Sequence, residues 1–343
     1  SPLPLQERRC PELVEGVRVR GESMPTGIKK TFLRKTHHTG NDVVIPVATI
    51  TGAKEGPTFA FMSGMHAGEY AGILAAQRLI QTVKPKDLRG RLIVIPVIST
   101  KAFMLRNMQL SPVDDREVHY YVPGSPQASY TEFLVDTLWQ GIKDADYVID
   151  THAGEFAQAL LPWVPVPMTG AREVNEKSKS LALGYRVEYI ELRRRRDSVP
   201  KLAAMMADEG IANIWAEIGK NGLPIPEHID MHYDGAIAAL QTAGMLPGKP
   251  ARPRQKLLNG RRYTLTADTS GVWHSAVKEG DIVEKGQFLG KLTDYFGDTL
   301  REYHAPERSL VLYYWSSPAI NADRRPHGYD WHSGLVSLIT MDG

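Results

Sequence analysis

The sequence predicts an α/β fold, a mixed and mostly parallel sheet flanked by helices, followed by a small all-β domain. Three observations carry this. Short apolar runs alternate with stretches of helical periodicity between about residues 40 and 247. The composition changes at Gly248-Lys249-Pro250-Ala251-Arg252-Pro253, which reads as a linker. Beyond residue 261 only short β runs and turns follow, with no helical period of useful length. The expected units are therefore residues 1–247 and 248–343.

The first sixty residues read as extended structure. Residues 45–50 form a β-rich run, and Lys54-Glu55-Gly56-Pro57 a turn. Residues 58–62 are apolar enough for a buried strand, which stops at Ser63-Gly64-Met65-His66. Tyr70, Ile73, Leu74, Ala76 and Leu79 then recur at helical spacing, with Pro85 beyond them as a stop. The unit repeats. Residues 91–98 read as a strand buried on both faces, 99–127 as irregular, 130–142 as a helix and 147–150 as a short buried strand. Residues 185–192 alternate like a strand, and helices over 198–209 and 227–242 flank a strand over 213–218. Such alternation implies parallel pairing with helices on both faces.

Composition narrows the function. Of 343 residues, 42% are hydrophobic and 23% charged, ordinary globular usage with enough apolar residues for a core. A net charge of +2 gives no general reason to bind nucleic acid or an anionic membrane. The basic run Arg193-Arg194-Arg195-Arg196 reads as a solvated edge or a local ion-pair site. Cys10 is the only cysteine, so any metal site must use histidine and carboxylate. No apolar run approaches the roughly 18 residues that span a bilayer. The opening Ser1-Pro2-Leu3-Pro4 has no secretory pattern and no initiating Met, as expected of a processed or trimmed chain. A cytoplasmic location is expected.

Three motifs carry chemistry. His66 and Glu69 in Gly64-Met65-His66-Ala67-Gly68-Glu69 stand at a strand-to-helix junction, where open α/β sheets place their ligands. Their spacing brings an imidazole and a carboxylate to one point. The alternative is that Glu69 simply favours the helix dipole. Val148-Ile149-Asp150-Thr151-His152 closes a second buried strand, with Asp150 placed to orient a ligand. A histidine hydrogen-bonded at the sheet edge is the alternative there. Together His66, Glu69 and His152 make the two-histidine, one-glutamate set of hydrolytic zinc sites. In Trp215-Ala216-Glu217-Ile218-Gly219 a carboxylate interrupts an apolar strand. Glu217 is either a structural ion pair or a general base.

The order His66-x-x-Glu69, His152, Glu217 resembles the zinc-dependent succinylglutamate desuccinylase/aspartoacylase family, relatives of carboxypeptidase A, from roughly residue 28 to 340. Ile45-Pro46-Val47, Glu55-Gly56-Pro57 and Leu88-Arg89-Gly90-Arg91-Leu92-Ile93-Val94-Ile95-Pro96 are further family-like stretches. Val277-Lys278-Glu279-Gly280-Asp281-Ile282-Val283 and Tyr303-His304-Ala305-Pro306 resemble the β-sandwich of lipoyl and biotinyl carriers, a known appendage of the family. No lysine stands at a hairpin tip in that context, so no attached lipoyl or biotin is expected.

The resemblance implies that His66, Glu69 and His152 bind one Zn²⁺. Glu217 would take a proton from zinc-bound water and deliver it to a leaving amine. The chain departs from the family where an Asn-Arg pair grips the substrate carboxylate. His119-Tyr120 stands there, within Pro112-Val113-Asp114-Asp115-Arg116-Glu117-Val118-His119-Tyr120-Tyr121-Val122-Pro123-Gly124. Imidazole and phenol do not replace guanidinium charge for charge. The expected substrate is therefore a small amide without the usual α-carboxylate, its neutral, aromatic or cationic end lined by His119 and Tyr120. An alternative is that the loop is rebuilt and these side chains pack on the protein. Met108 occupies the place of the family's oxyanion-stabilising arginine, and Arg106 is the expected substitute, ahead of Arg116. Glu155 either touches the site or caps the next segment, the second being favoured. His37-His38 reads as surface turn chemistry, and Trp163 and Trp215 as core. The main reading is a zinc amidohydrolase acting on a small molecule. A metallo-carboxypeptidase acting on peptides and a catalytically inactive binding protein are the alternatives. Homo-oligomer formation is left open.

Overall fold

The computed structural model describes residues 25–107, 109–195, 199–250, 252–322 and 333–341. Cys10, Met108, Ala251, Arg196 and the start of the helix expected from residue 198 lie outside the described residues. The chain runs β1 (Gly27–Thr36), β2 (Asp42–Thr51), β3 (Lys54–Met62), α1 (Tyr70–Thr82), β4 (Arg89–Ile95), α2 (Thr100–Leu105), α3 (Tyr130–Ile142), β5 (Tyr147–His152), β6 (Gln158–Leu160) and β7 (Trp163–Met168). It continues through α4 (Arg172–Ala182), β8 (Tyr189–Arg194), α5 (Lys201–Asp208), β9 (Ala212–Glu217), α6 (Pro226–Thr242) and β10 (Lys256–Leu258).

These strands, β6 excepted, form one nine-stranded sheet in the order β1-β2-β4-β3-β5-β9-β7-β8-β10. Its centre is parallel, through β4, β3, β5 and β9, and so is the β7-β8-β10 edge. The hairpin β1–β2 and the pairing of β2 with β4 are antiparallel. The central strands are near-continuous apolar runs, as strands covered on both faces must be. Phe59 and Phe61 of β3 pack against α1, α4 and α6. Ala60 and Met62 of the same strand point to the opposite face, against α3 and α5.

Two elements lie where sequence periodicity is weak. β7 carries Pro165 and Pro167, residues usually kept out of central strands. It joins β9 by the single bridge Trp163–Glu217, so few ladder bonds on that side are there to lose. The helix α4 buries only Ser178, Leu181 and Ala182, too few apolar residues to reveal its period. His37, expected at a surface turn, is buried instead, its ring nitrogens meeting Thr39 Oγ1 at 2.8 Å and the Ala128 carbonyl at 2.9 Å.

The remaining strands are β11 (Arg262–Thr266), β12 (Gly271–Ser275), β13 (Ile282–Val283), β14 (Phe288–Thr293), β15 (Thr299–His304), β16 (Ser309–Trp315), β17 (Ala319–Ile320) and β18 (Gly334–Thr340). They make two antiparallel sheets, β11-β18-β16-β13 and β15-β14-β12-β17, around a core that includes Trp273, Leu289, Val311 and Leu338. The β14–β15 turn presents Tyr295 and Phe296 to solvent. The two regions interlock. β6, from just beyond His152, pairs with β16, while β10, from beyond the proline-rich linker, completes the edge of the large sheet. A shared core of Leu160, Trp163, Leu312, Tyr313, Trp315 and Ile339 lies between them. Among the described residues no helix is long and apolar enough to cross a membrane.

Candidate active site

The site forms at the C-terminal ends of β3, β5 and β9, three neighbours in the sheet. β3 ends at Met62, and the chain then turns through Gly64 in the left-handed region (φ 65°). A Cβ at Gly64 would stand 3.0 Å from Val97 Cα, so glycine suits both the conformation and the space. Glu69 is the N-cap of α1, yet its side chain makes no capping bond. Gly72 lets the first turn of α1 close on β5, because a Cβ there would lie 2.2 Å from Thr151 Oγ1. The carboxylate of Glu69 is thereby carried to the end of β5.

There it lies between two imidazoles. Glu69 Oε1 is 2.9 Å from His66 Nδ1, and Oε2 is 3.0 Å from His152 Nδ1. All three side chains are buried. Each imidazole has a carboxylate behind it: Glu117 Oε1 stands 3.0 Å from His66 Nε2, and Asp150 Oδ2 stands 3.1 Å from His152 Nε2. Carboxylate–imidazole pairs of this kind orient metal ligands. Burial alone would raise the Glu69 pKa, but the two imidazoles outweigh it and hold the carboxyl at about 2. Burial likewise works against charge on His66 and His152, and the facing carboxylates overcome it, raising both well above the usual histidine range.

These residues fit a divalent cation. Glu69 Oε2 and His152 Nε2 are buried without a hydrogen-bond partner, although oppositely charged groups face them. Buried polar atoms are rarely left so, and a cation between Glu69 and the imidazoles would satisfy the carboxylate with an oxygen–nitrogen donor set typical of zinc.

Glu217 stands directly across from His152 in the β5–β9 register. Its tip is partly exposed, but protein surrounds it densely. That burial pushes its pKa up to about 7, with His152 opposing the rise and Glu69 adding to it. A carboxylate poised near neutrality suits proton transfer. Arg262 of β11 also moderates it. This guanidinium lies over the rings of Trp163 (5.7 Å) and Tyr313 (5.3 Å), with Glu191 Oε2 at 3.8 Å.

The remaining candidates are dispersed. His119 joins the cluster: its ring centroid is 4.8 Å from that of His66 and 4.8 Å from that of His152. Burial lowers its pKa to about 4, the neighbouring imidazoles adding to the fall against the pull of Glu117. Tyr120, the next residue, turns outward and is exposed. Arg106 ends α2 in a left-handed conformation (φ 52°) with an exposed side chain, and no described hydrogen bond or ion pair ties it to the cluster. Arg116 is 3.5 Å from Glu132 and lies over Tyr121. Of the basic run, Arg193 is buried against Glu191 at 3.1 Å, Arg194 is exposed, and Arg195 binds Asp208 and the Thr169 carbonyl. Trp163 and Trp215 are buried, and the Trp163 indole donates to Glu191.

Glu117 and Arg262 escape the sequence reading, and Glu155 takes the less favoured of its two expected roles, touching the site. Glu117 reaches the site because its carboxylate also accepts the His119 backbone N–H at 2.9 Å. Glu155 was expected to cap the following segment. Its side chain is instead buried toward His66 and Glu69, offering an oxygen within 4.8 Å of their ligand atoms. Burial pushes its pKa up to about 8, with Glu69 and Glu117 adding to the rise. Arg262 enters from the second region, where no local pattern marks it.

No family model matches the chain. It is 26% identical over 319 residues to an N-alpha-acetyl-L-2,4-diaminobutyric acid deacetylase of Halomonas elongata, covering 91% of this chain and 92% of that protein. Among solved structures it superposes on the product-bound ectoine utilization protein EutE (DoeB) of Ruegeria pomeroyi with a TM-score of 0.81 at 21% identity, covering 92% of this chain and 96% of that one. A succinylglutamate desuccinylase/aspartoacylase of Rhodobacter sphaeroides gives a TM-score of 0.79 at 18% identity, with the same coverage of 92% and 96%. The fold is that of the succinylglutamate desuccinylase/aspartoacylase proteins, and the resemblance to that family read from the motifs holds over nine-tenths of the chain.

Proposed function

We propose that this chain is a zinc-dependent deacylase that hydrolyses an amide bond in a small N-acyl compound. The observation that carries the reading is the meeting of His66, Glu69 and His152 beside Glu217, at the ends of adjacent strands. The name of the Halomonas relative, a deacetylase, supports the reaction class. A zinc ion held by His66, Glu69 and His152 would polarise the scissile carbonyl and acidify the attacking water. Glu217, its pKa near neutrality, would be the group that takes a proton from the attacking water and returns it to the leaving nitrogen. Glu117 and Asp150 keep the two imidazoles in orientation. Arg106, exposed at the end of α2, is the proposed oxyanion donor and would have to swing toward the cluster to serve.

The recognised end of the substrate lacks the usual α-carboxylate and meets Tyr120 and the loop that carries it. The relative's substrate, by its name, is an N-acetylated diamino acid, so its side-chain amine is the part that a cation-accepting pocket would share with it. The test is a substrate panel on zinc-loaded protein, comprising N-acetylated diamines, N-acetyldiaminobutyrate, simple N-acyl amino acids and neutral amides. Hydrolysis abolished by a chelator and restored by zinc is expected, with compounds lacking the carboxylate cleaved fastest. Faster cleavage of free N-acyl amino acids overturns the recognition half. Protein that takes up no zinc overturns the hydrolase itself.

A further inference from the structure

We infer that His119 is a metal-ligating side chain, which adds a third imidazole to the two expected. The inference rests on the zinc reading above. His66, His119 and His152 each offer a ring nitrogen, and these nitrogens lie within 4.8 Å of one another. The ring centroids form a nearly equilateral triangle with sides of 4.8, 4.8 and 5.0 Å. Donors around a tetrahedral zinc ion stand roughly 3.3 Å apart, a gap that imidazole rotation can close.

The loop is built to hold this arrangement. Glu117 accepts the backbone N–H of His119 at 2.9 Å and faces His66 Nε2 at 3.0 Å through the same oxygen, Oε1. One carboxylate oxygen thus fixes both the orientation of His66 and the position from which His119 projects. Among the described residues no hydrogen bond reaches the His119 ring. Tyr120, the next residue, turns outward with 46% of its surface exposed. His119 instead packs against the two imidazoles.

The test reads the metal rather than turnover. X-ray absorption of the zinc-loaded wild-type protein counts imidazoles by their multiple scattering, and three are expected. Chelator competition then compares zinc affinity in the wild type with His119→Ala and His119→Asn. Loss of a group that only orients a ligand costs roughly 10–100-fold in metal affinity, and loss of His119 is expected to cost about 100-fold or more. Two imidazoles in the wild type overturn the inference, as do variants that bind zinc with wild-type affinity. The absorption measurement needs no variant, so a misfolded substitution leaves it decisive. A wild-type protein that binds no zinc refutes the underlying hydrolase reading instead.

Discussion

Glu69 stands at the start of α1 without capping it, and this decides between the two roles open to an acid at a helix N-terminus. Its carboxylate is committed to His66 and His152, which leaves the dipole as a minor benefit. The raised pKa values of both histidines have a direct consequence for metal loading. A ligand must be deprotonated to bind zinc. In the metal-free protein these imidazoles keep their protons to a higher pH than an ordinary histidine, so zinc affinity is expected to weaken as pH falls and to recover only above the usual histidine range. Titration with a competing chelator across pH 6 to 8.5 checks the sign. Glu117→Gln removes the charge behind His66 and is expected to weaken zinc binding by roughly 10–100-fold, read by the same competition. Glu217→Gln should retain zinc, measured by metal analysis, while turnover falls by roughly 100- to 10,000-fold. His66, Glu69, His152 and Glu217 were open to sequence reasoning because each breaks a strong local pattern: polar residues at the ends of apolar strands. Glu117, Glu155 and Arg262 break none. They arrive through loop packing and through contact between distant strands, which spacing along the chain does not encode.

α1 and β5 touch at a glycine, and that contact sets the position of the whole helix start. In an ordinary exposed helix Gly→Ala would stabilise by about 1 kcal/mol. At Gly72 the added methyl meets Thr151 Oγ1 at 2.2 Å, and overpacking of this kind costs roughly 1–3 kcal/mol. Gly72→Ala is therefore expected to lower stability in urea unfolding, opposite in sign to the helix propensity, and to weaken zinc binding by moving Glu69 away from His152. Most elements were readable because their apolar residues follow one period, as in α1, α3 and the central strands. β7 and α4 were not. The prolines of β7 argue locally against a strand, and only its place beside β8 makes it one. The polar α4 is held by a few buried residues against β7 and β9 rather than by an apolar stripe.

Each region lends a strand to the other's sheet and the two share a core, so they are expected to unfold together. Tryptophan fluorescence, with tryptophans in both regions such as Trp163 and Trp273, and far-ultraviolet circular dichroism should give coincident urea transitions. Separate transitions would show that the joint is weaker than its burial suggests. Acid weakens the assembly through His232 of α6. This buried imidazole donates to the Ile218 carbonyl at 2.9 Å, and burial lowers its pKa from 6.5 to about 4. Between those values the unfolded chain takes the proton and the folded chain does not. Stability is thus present above pH 6.5 and falls as pH drops toward 4, by about 3 kcal/mol in all. His232→Asn should flatten this part of the acid dependence, seen by comparing unfolding free energies at pH 7 and pH 4.5. The three-residue strand β6 carries one more implication. It follows His152 by a short turn that holds Glu155, and it takes its register from Tyr313–Trp315 of β16. A chimera that grafts a foreign sandwich onto the first 250 residues must therefore supply an edge that accepts Gln158–Leu160 in the same alignment. Otherwise recombination at the linker would disturb the segment beside His152 more than 90 residues upstream of the splice.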